Sequence, residues 1–123
     1  MILVDTSIWI DHLRSDDEVL SERLKCREVL MHPYVIGELA VGHLNPRQEI
    51  LEMLQDLPQS DVATDSEVLH FIETAKLFGE GIGYVDAHLL AAARLNAGSG
   101  LWTRDTRLFK VASRLALAAS PIH

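Results

Sequence analysis

Short apolar runs alternate along the chain with longer stretches in which apolar residues recur every three or four positions. The first run, Ile2 to Val4, is too short for a helix and stops at Asp5, Thr6 and Ser7, which are residues that commonly start helices. The chain is therefore predicted to open as strand, turn and helix. The other predicted strands cover residues 29–31, 61–63, 101–103 and 117–119.

The longer stretches predict helices, several of which carry a start signal. Pro33 suits a first helical turn, where its missing N–H costs nothing, and Thr64 with Glu67 has the spacing of a capping box. The predicted helices run over residues 8–13, 16–25, 33–44, 46–58, 64–79, 84–95 and 105–115.

Strands that alternate with helices favour a parallel sheet, because parallel neighbours need crossover connections. The predicted fold class is α/β, with about five parallel strands and helices on both faces, in one domain over residues 1–123. In such sheets ligands bind beyond the carboxyl ends of the strands, where the strand order reverses. Asp5 and Asp105 both follow a predicted strand directly.

Composition limits the class of protein further. A chain of 123 residues with 48% hydrophobic content can bury a core, and no apolar run reaches the length needed to cross a bilayer. No basic segment followed by an apolar stretch stands at the start, so a soluble, intracellular protein is expected. Cys26 is the single cysteine, which excludes an internal disulfide and a cysteine-based zinc site and fits a reducing cytoplasm.

The charge distribution bears on a nucleic-acid partner. A net charge of −7 argues against phosphate binding, but residues from 94 onward carry +4 and the earlier ones −11. The basic part is compatible with phosphate contacts from Arg104, Arg107 and Lys110 beside an acidic site. A solvated helix face explains the same pattern equally well.

Asp86 is the most informative single residue. Between Tyr84 and Ala93 every side chain is aromatic, aliphatic or alanine except Asp86 and His88, so this helix is expected to be buried around most of its circumference. A carboxylate there needs a partner, a proton or a metal. The alternative is an acid at a helix start that interacts with backbone N–H groups. A functional role is favoured, because a cap does not require an otherwise apolar helix.

Three other acids have local explanations as well. Asp5 has the position of an N-cap, although Thr6 or Ser7 would serve equally well, which favours a functional role. Glu38 fits the exposed side of its helix, and Asp105 fits a simple N-cap of the last helix.

Other chemistries find little support. The glycines at 79, 81 and 83 have the wrong spacing for a dinucleotide site, and neither a Walker loop nor a serine nucleophile elbow occurs. No pair of histidines has the spacing of a zinc site, although His88 stands out on its apolar helix. The histidines are His12, His32, His43, His70, His88 and His123.

Taken together, the four acids resemble the pattern of the PIN-domain nucleases, and specifically the VapC toxins of bacterial type II toxin–antitoxin systems. The resemblance runs over nearly the whole chain. By this likeness Asp5, Glu38 and Asp86 bind metal, Asp105 is a fourth and more variable acid, and Thr6 and Thr103 supply hydroxyls that line the site. The segments that carry it are Ile2 to Asp11, Gly37-Glu38-Leu39, Val85-Asp86-Ala87 and Leu101 to Asp105.

The resemblance further implies a five-stranded parallel sheet, Mg²⁺ or Mn²⁺ as cofactor, and cleavage of RNA. It also implies a homodimer and a cognate VapB-type antitoxin that blocks the site. Chemistry supplies an independent reason for a metal, because crowded carboxylates repel one another and raise their pKa values unless a hard cation neutralises them.

Two other functions compete with a nuclease. A phosphatase with Asp5 as covalent nucleophile, like the haloacid-dehalogenase enzymes, typically has a second Asp two positions on, where this chain has Ser7. A module that only binds RNA or protein has no need of four intact acids, so their presence argues against it.

Overall fold

The computed structural model describes residues 1–119, and a parallel sheet lies at its centre. Its strands are β1 (Ile2–Val4), β2 (Val29–Leu30) and β3 (Gly100–Trp102), in the order β2-β1-β3. Ile2 is opposite Val29 on one side and Gly100 on the other. The predicted α/β class with a parallel sheet is thus confirmed.

The number of strands differs from the prediction of about five. Within residues 1–119 the sheet has three strands, each followed or flanked by helices. The predicted strand at 61–63 is wrong, because the pairing next to β2 is a single bridge between Met31 and Gln59. At the other edge Ala118 forms one bridge with Leu101, in place of the predicted strand at 117–119. At each edge of the sheet, therefore, the neighbouring segment forms one bridge only, which is too short to count as a strand.

Helices fill the connections between the strands. Their bounds follow the predicted start signals closely, and Thr64 with Glu67 forms the predicted capping box. The predicted helix over 64–79 ends earlier, at Thr74, because Lys76 adopts a left-handed backbone conformation with φ of 54°. The helices are α1 (Thr6–Arg14), α2 (Glu18–Lys25), α3 (Pro33–Ala40), α4 (Arg47–Asp56), α5 (Asp65–Thr74), α6 (Tyr84–Leu95) and α7 (Thr106–Arg114).

The core surrounds the central strand and α6. Leu3 and Val4 of β1 are fully buried, and seven consecutive residues of α6, from Ala87 to Ala93, are buried as well. The α6 helix packs against α5 and β3, while α3 packs against α1 and α4. The expectation that α6 is buried around most of its circumference therefore holds for its middle, whereas Tyr84 and Leu95 at its ends are exposed. None of the helices in the described part of the chain is long and apolar enough to span a membrane.

The strand order places two loops side by side. From β1 the chain moves to β2 on one side, and it later returns to β3 on the other side, so the strand order reverses between β1 and β3. Val4 is opposite Trp102, and the Asp5 N–H donates to the Trp102 carbonyl at 2.9 Å. The residues that follow these two strands, Asp5 and Thr103, are consequently neighbours at the carboxyl edge of the sheet.

Candidate active site

Asp5 lies at the junction of β1 and α1 and is 7% exposed. Its Oδ1 accepts from the Thr6 N–H at 2.8 Å, which makes it the N-cap of α1. Its Oδ2 accepts from the Ser7 hydroxyl at 3.0 Å and from the Thr103 hydroxyl at 2.7 Å. Three donors thus fix the orientation of a buried carboxylate.

Thr103 joins two of the predicted acids. It is buried just after β3, and its Oγ1 donates to Asp5 while accepting from the Asp105 N–H at 3.0 Å. One hydroxyl therefore sets the distance between the loop after β1 and the loop after β3.

Glu38 reaches the same edge from α3. Its side chain is exposed, and its Oε1 accepts from the Thr6 hydroxyl at 2.9 Å. Thr6 follows Asp5 directly, so this bond brings Glu38 to the carboxylate of the β1 loop. The two threonines predicted to line the site each hold one of the acids.

Asp86 occupies the first turn of α6 and is half-buried. Its Oδ2 accepts from the Gly83 N–H at 3.0 Å, so the helix-start role considered from the sequence is present. Burial raises the pKa of Asp86, the Gly83 hydrogen bond opposes that rise, and the negative charges of Asp5, Asp105 and Glu38 add to it. Asp86 therefore lies within electrostatic reach of all three other acids.

Asp105 is exposed and caps α7. Its Oδ1 accepts from the N–H groups of Arg107 and Leu108 at 2.9 and 3.0 Å, which is the local role anticipated for it. Its charge contributes to the raised pKa of Asp86, so the two carboxylates lie within electrostatic reach of each other. Capping and membership of the acidic cluster coexist in this residue.

We call Asp5, Glu38, Asp86 and Asp105 the acidic cluster. Among residues 1–119, no three His, Cys, Asp or Glu side chains come close enough to enclose a cation as they stand. The donors are all carboxylate oxygens, which suit Mg²⁺ and Mn²⁺, and Mg²⁺ commonly binds through only one or two carboxylates and keeps several waters. An open arrangement of hard oxygen donors fits such an ion.

The basic residues near the cluster have different surroundings. Arg104 pairs with Asp11 and Asp17, at 2.9 and 3.1 Å. Arg107 and Lys110 lie three positions apart on the exposed side of α7, and within residues 1–119 neither has a carboxylate at ion-pair distance. Of the three predicted phosphate contacts, two have free charges in this part of the chain.

Arg107 packs against a glycine of the loop before α6. Gly81 has φ of 79°, and a Cβ there would stand 2.8 Å from Cδ of Arg107. The same loop supplies the Gly83 N–H that binds Asp86. The positive φ favours glycine at 81, and the Arg107 side chain passes close over it.

Sequence reasoning missed Ser7, Asp11 and Asp17 as parts of the site's surroundings. Ser7 binds Asp5 through its hydroxyl, and the two acids bind Arg104. Ser7 and Asp11 are four residues apart and therefore share one face of α1, which was a usable signal. For Asp17 the only signal in the sequence was that of an N-cap, and Asp17 is indeed the N-cap of α2.

A second buried polar group lies between α3 and α6. His32 and His88 are almost completely buried, with ring centroids 6.4 Å apart. His32 Nδ1 accepts from the Tyr34 N–H, and His88 Nε2 lies 3.0 Å from Asp65, which also accepts from the Tyr84 hydroxyl. Burial and, second, the charge of His88 lower the pKa of His32 to about 4. His88 is thus a structural residue of the core, and His123 lies outside the described residues.

Comparison with known proteins identifies the class. A sequence model of the PIN domain matches residues 2–114, and the chain belongs to this family. It is similar to Ribonuclease VapC32 from two strains of Mycobacterium tuberculosis, CDC 1551 / Oshkosh and ATCC 25618 / H37Rv. Each is 49% identical over 108 residues, which cover 88% of this chain and 87% of the relative.

Solved structures share the fold. FitAcB from Neisseria gonorrhoeae superimposes with a TM-score of 0.66 at 23% identity, covering 98% of both chains. FitAB bound to an IR36 DNA fragment superimposes with a TM-score of 0.61 at 21% identity, covering 92% of this chain and 91% of the other. At these identities the likeness concerns the arrangement of the backbone.

The first prediction concerns Asp86. A folded-state pKa above the unfolded value means that the fold loses stability as pH rises from the unfolded pKa to the folded one, and the loss persists above both. Asp86→Asn removes this charge and keeps an oxygen for the Gly83 N–H. In EDTA at neutral pH the variant should melt at or above the wild-type temperature, measured by thermal denaturation.

Asp56→Asn is the matched control, because Asp56 is exposed at the end of α4, away from the acidic cluster. It should melt within a degree or two of wild type. An Asp86→Asn protein that melts well below wild type would make Asp86 chiefly a helix cap.

The second prediction concerns His32. Because its folded pKa is about 4 and its ordinary value 6.5, the unfolded chain binds a proton that the folded protein does not within this window. The free energy of unfolding should therefore fall as pH decreases from 6.5 to 4, by up to about 1.4 kcal/mol per pH unit from this group. His32→Asn retains an oxygen to cap α3. Its free energy of unfolding, measured by urea titration at several pH values, should depend less steeply on pH than that of wild type.

His70→Asn provides the comparison, since His70 is exposed on α5. Between pH 4 and 6.5 its free energy of unfolding should change with pH as steeply as that of wild type. An equally steep slope in His32→Asn would show that His32 is protonated in the folded state.

Proposed function

We propose that this protein is a metal-dependent endoribonuclease of the VapC type and acts as the toxin of a toxin–antitoxin pair. Its membership of the PIN-domain family and its 49% identity to proteins named Ribonuclease VapC32 support the proposal. The observation that carries it is the acidic cluster itself. Asp5, Glu38 and Asp105 lie within electrostatic reach of Asp86 where the strand order reverses, and burial, followed by their charges, raises the pKa of Asp86.

The proposed cofactor is Mg²⁺ or Mn²⁺, held by Asp5, Glu38, Asp86 and Asp105, directly or through water. A cation at this position would hold the scissile phosphate and lower the pKa of an attacking water. The hydrogen bonds within the protein leave oxygens for this purpose. Glu38 is engaged through Oε1, Asp86 through Oδ2 and Asp105 through Oδ1, so each offers its second oxygen.

The chain's own groups would orient the reactants. Asp5 is too firmly held by Thr6, Ser7 and Thr103 to turn, which keeps the centre of the cluster in one geometry. Asp86 is engaged only through Oδ2, so its Oδ1 would orient the attacking water and accept its proton, and Asp86 would hold the cation through that water. The water oxygen would bond to phosphorus as the bond to the leaving ribose oxygen breaks.

RNA must approach a cluster of like charge, so cations on the protein have a role. Arg107 and Lys110 are the proposed phosphate contacts, because both are exposed and Arg107 extends across the loop that binds Asp86. Arg114, on the same helix, instead donates to the carbonyls of Ala75 and Lys76 at the end of α5.

Further parts of the proposal follow from the resemblance to VapC proteins. They are a VapB-type antitoxin as partner, a homodimer, and a location in the cytoplasm. The phosphatase alternative gains nothing from the geometry, since Ser7 stands where its second acid is expected.

The third prediction tests the activity. Purified protein should cleave RNA with Mg²⁺ or Mn²⁺, lose cleavage in EDTA, and be inhibited by Ca²⁺, whose looser coordination positions phosphate poorly. Asp86→Asn should lack cleavage, whereas Asp56→Asn should retain it. Mg²⁺ at about ten times its dissociation constant should stabilise wild type by roughly 1.4 kcal/mol and Asp86→Asn by clearly less.

Undiminished cleavage in EDTA would refute the metal mechanism. Metal binding without cleavage of any RNA tested, including bulk cellular RNA, would favour the non-catalytic module. Trapping of a phosphorylated Asp5 would favour the phosphatase.

The fourth prediction concerns binding of the substrate. Replacing Arg107 and Lys110 with Ala should weaken RNA binding and reduce the slope of log affinity against log salt by about 0.7 for each phosphate that the variant no longer neutralises. Fluorescence anisotropy of a labelled RNA in the Asp86→Asn background measures this without cleavage.

Lys25→Ala with Arg27→Ala is the matched control. Both residues are exposed and precede β2, at the opposite edge of the sheet from the acidic cluster. The control pair changes net charge equally and should leave the slope unchanged. An equal decrease for both pairs would indicate a general charge effect.

A further inference from the structure

Arg104 lies between Thr103 and Asp105, two residues of the site, and yet its guanidinium points to α1 and α2. Nε lies 2.9 Å from Asp11 Oδ2 in an ion pair, and Nη2 donates to Asp17 Oδ2 at 3.1 Å. Arg104 is about half exposed, as is Asp11, whereas Asp17 is only 21% exposed. The planar guanidinium therefore bridges the carboxylate of Asp11 in α1 and that of Asp17, the N-cap of α2.

Asp17 is held in place independently of Arg104. Its Oδ1 accepts from the Leu20 N–H at 2.9 Å and caps α2, while its own N–H donates to His12 Nδ1 at 3.0 Å. The second oxygen, Oδ2, is left for Arg104. Arg104 thus binds a carboxylate whose position the start of α2 has already set.

The backbone of Arg104 continues the connection into the acidic cluster. Its N–H lies 3.4 Å from the Ser7 hydroxyl, which in turn donates to Asp5 at 3.0 Å. On either side of Arg104 are Thr103, which donates to Asp5, and Asp105. A shift of the Arg104 backbone would therefore act directly on Thr103 and Asp105.

We propose that Arg104 is a positioning residue: with Asp11 and Asp17 it fastens the turn from Thr103 to Asp105 onto α1 and α2, and it does not bind the RNA phosphates. The proposal rests on the proposed ribonuclease function and gives the basic residues different roles. Arg107 and Lys110 meet the substrate, and Arg104 keeps Thr103 and Asp105 in the geometry that the reaction needs. Exposed ion pairs add little to stability, so the effect of Arg104 lies in this geometry.

The competing role for Arg104, a phosphate contact, predicts an opposite response to removal of its partners. If Asp11 and Asp17 compete with an RNA phosphate for Arg104, removing one of the two carboxylates frees the guanidinium and strengthens RNA binding. If they hold it in place, removing one of them loosens Thr103 and Asp105 and slows cleavage.

Asp17→Asn separates the two roles cleanly. Asn is as good an N-cap as Asp, so α2 keeps its cap, but an amide accepts less well from a guanidinium than a carboxylate does. Asp16→Asn is the matched control, because Asp16 is the exposed neighbour and the change in charge is the same. Arg104→Ala and Arg104→Lys complete the set, since a lysine cannot bridge two carboxylates with a planar fork.

We expect Arg104→Ala and Asp17→Asn each to lower kcat by about 10- to 100-fold with little change in KM, as removal of groups that orient metal-site residues does. The double variant should be no slower than Arg104→Ala alone. Arg104→Lys should recover only part of the rate, and Asp16→Asn should match wild type. The salt slope of RNA binding should be unchanged in Arg104→Ala.

Three results would overturn the proposal. They are faster cleavage or tighter RNA binding in Asp17→Asn than in Asp16→Asn, a salt slope lowered by about 0.7 in Arg104→Ala, and wild-type kcat in Arg104→Ala. In each case the wild-type protein still cleaves RNA, so the proposed function stands while the role of Arg104 fails.

Binding of Mn²⁺, measured by calorimetry, makes the test independent of RNA cleavage. Poorer positioning of Asp105 should weaken Mn²⁺ binding in both Arg104→Ala and Asp17→Asn relative to Asp16→Asn. If wild type cleaves no RNA, the proposed function fails, and unaltered Mn²⁺ affinity in these variants would then refute the positioning role as well.

Discussion

Repulsion among four carboxylates governs the carboxyl edge of the sheet. Each acid has at least one donor from the protein: hydroxyls and an N–H for Asp5, a hydroxyl for Glu38, and backbone N–H groups for Asp86 and Asp105. For Asp86 the donor does not suffice, because burial, and after it the charges of the other three acids, keep its pKa raised. The remaining negative charge is what makes the edge suited to a divalent cation and, through it, to a phosphate.

Helix starts supply much of this support. Asp5 and Asp105 cap α1 and α7, and Asp86 lies in the first turn of α6. The positive end of each of these helix dipoles therefore points toward the cluster. The sequence offers capping and a functional role as alternatives for these residues, but a carboxylate has two oxygens, so a cap can also bind a ligand. Asp17 likewise uses one oxygen to cap α2 and the other to bind Arg104.

Tertiary contacts sort the basic residues of the last third of the chain. Arg104 is engaged by two acids, and Arg114 by two backbone carbonyls. Arg107 lies across Gly81, so the loop before α6 and the start of α7 are coupled at the border of the acidic cluster. A net charge of +4 over this part of the chain therefore overstates the charge that faces a substrate. Arg94 stacks over the Phe71 ring at 4.8 Å, so Arg107 and Lys110 are the cations of this stretch that we propose for RNA.

Local patterns in the sequence were enough to predict the class of fold and most helix starts, because strand length, helical periodicity and caps are properties of neighbouring residues. The resemblance to the PIN-domain nucleases is what singled out the four acids as a set. Long-range partners became known only from the folded chain. The edges of the sheet pair through single bridges at Gln59 and Ala118, and Arg104 meets Asp17 across 87 positions of the chain. Such partners depend on how strands align and helices pack, and no local pattern records which distant residue a charge will reach.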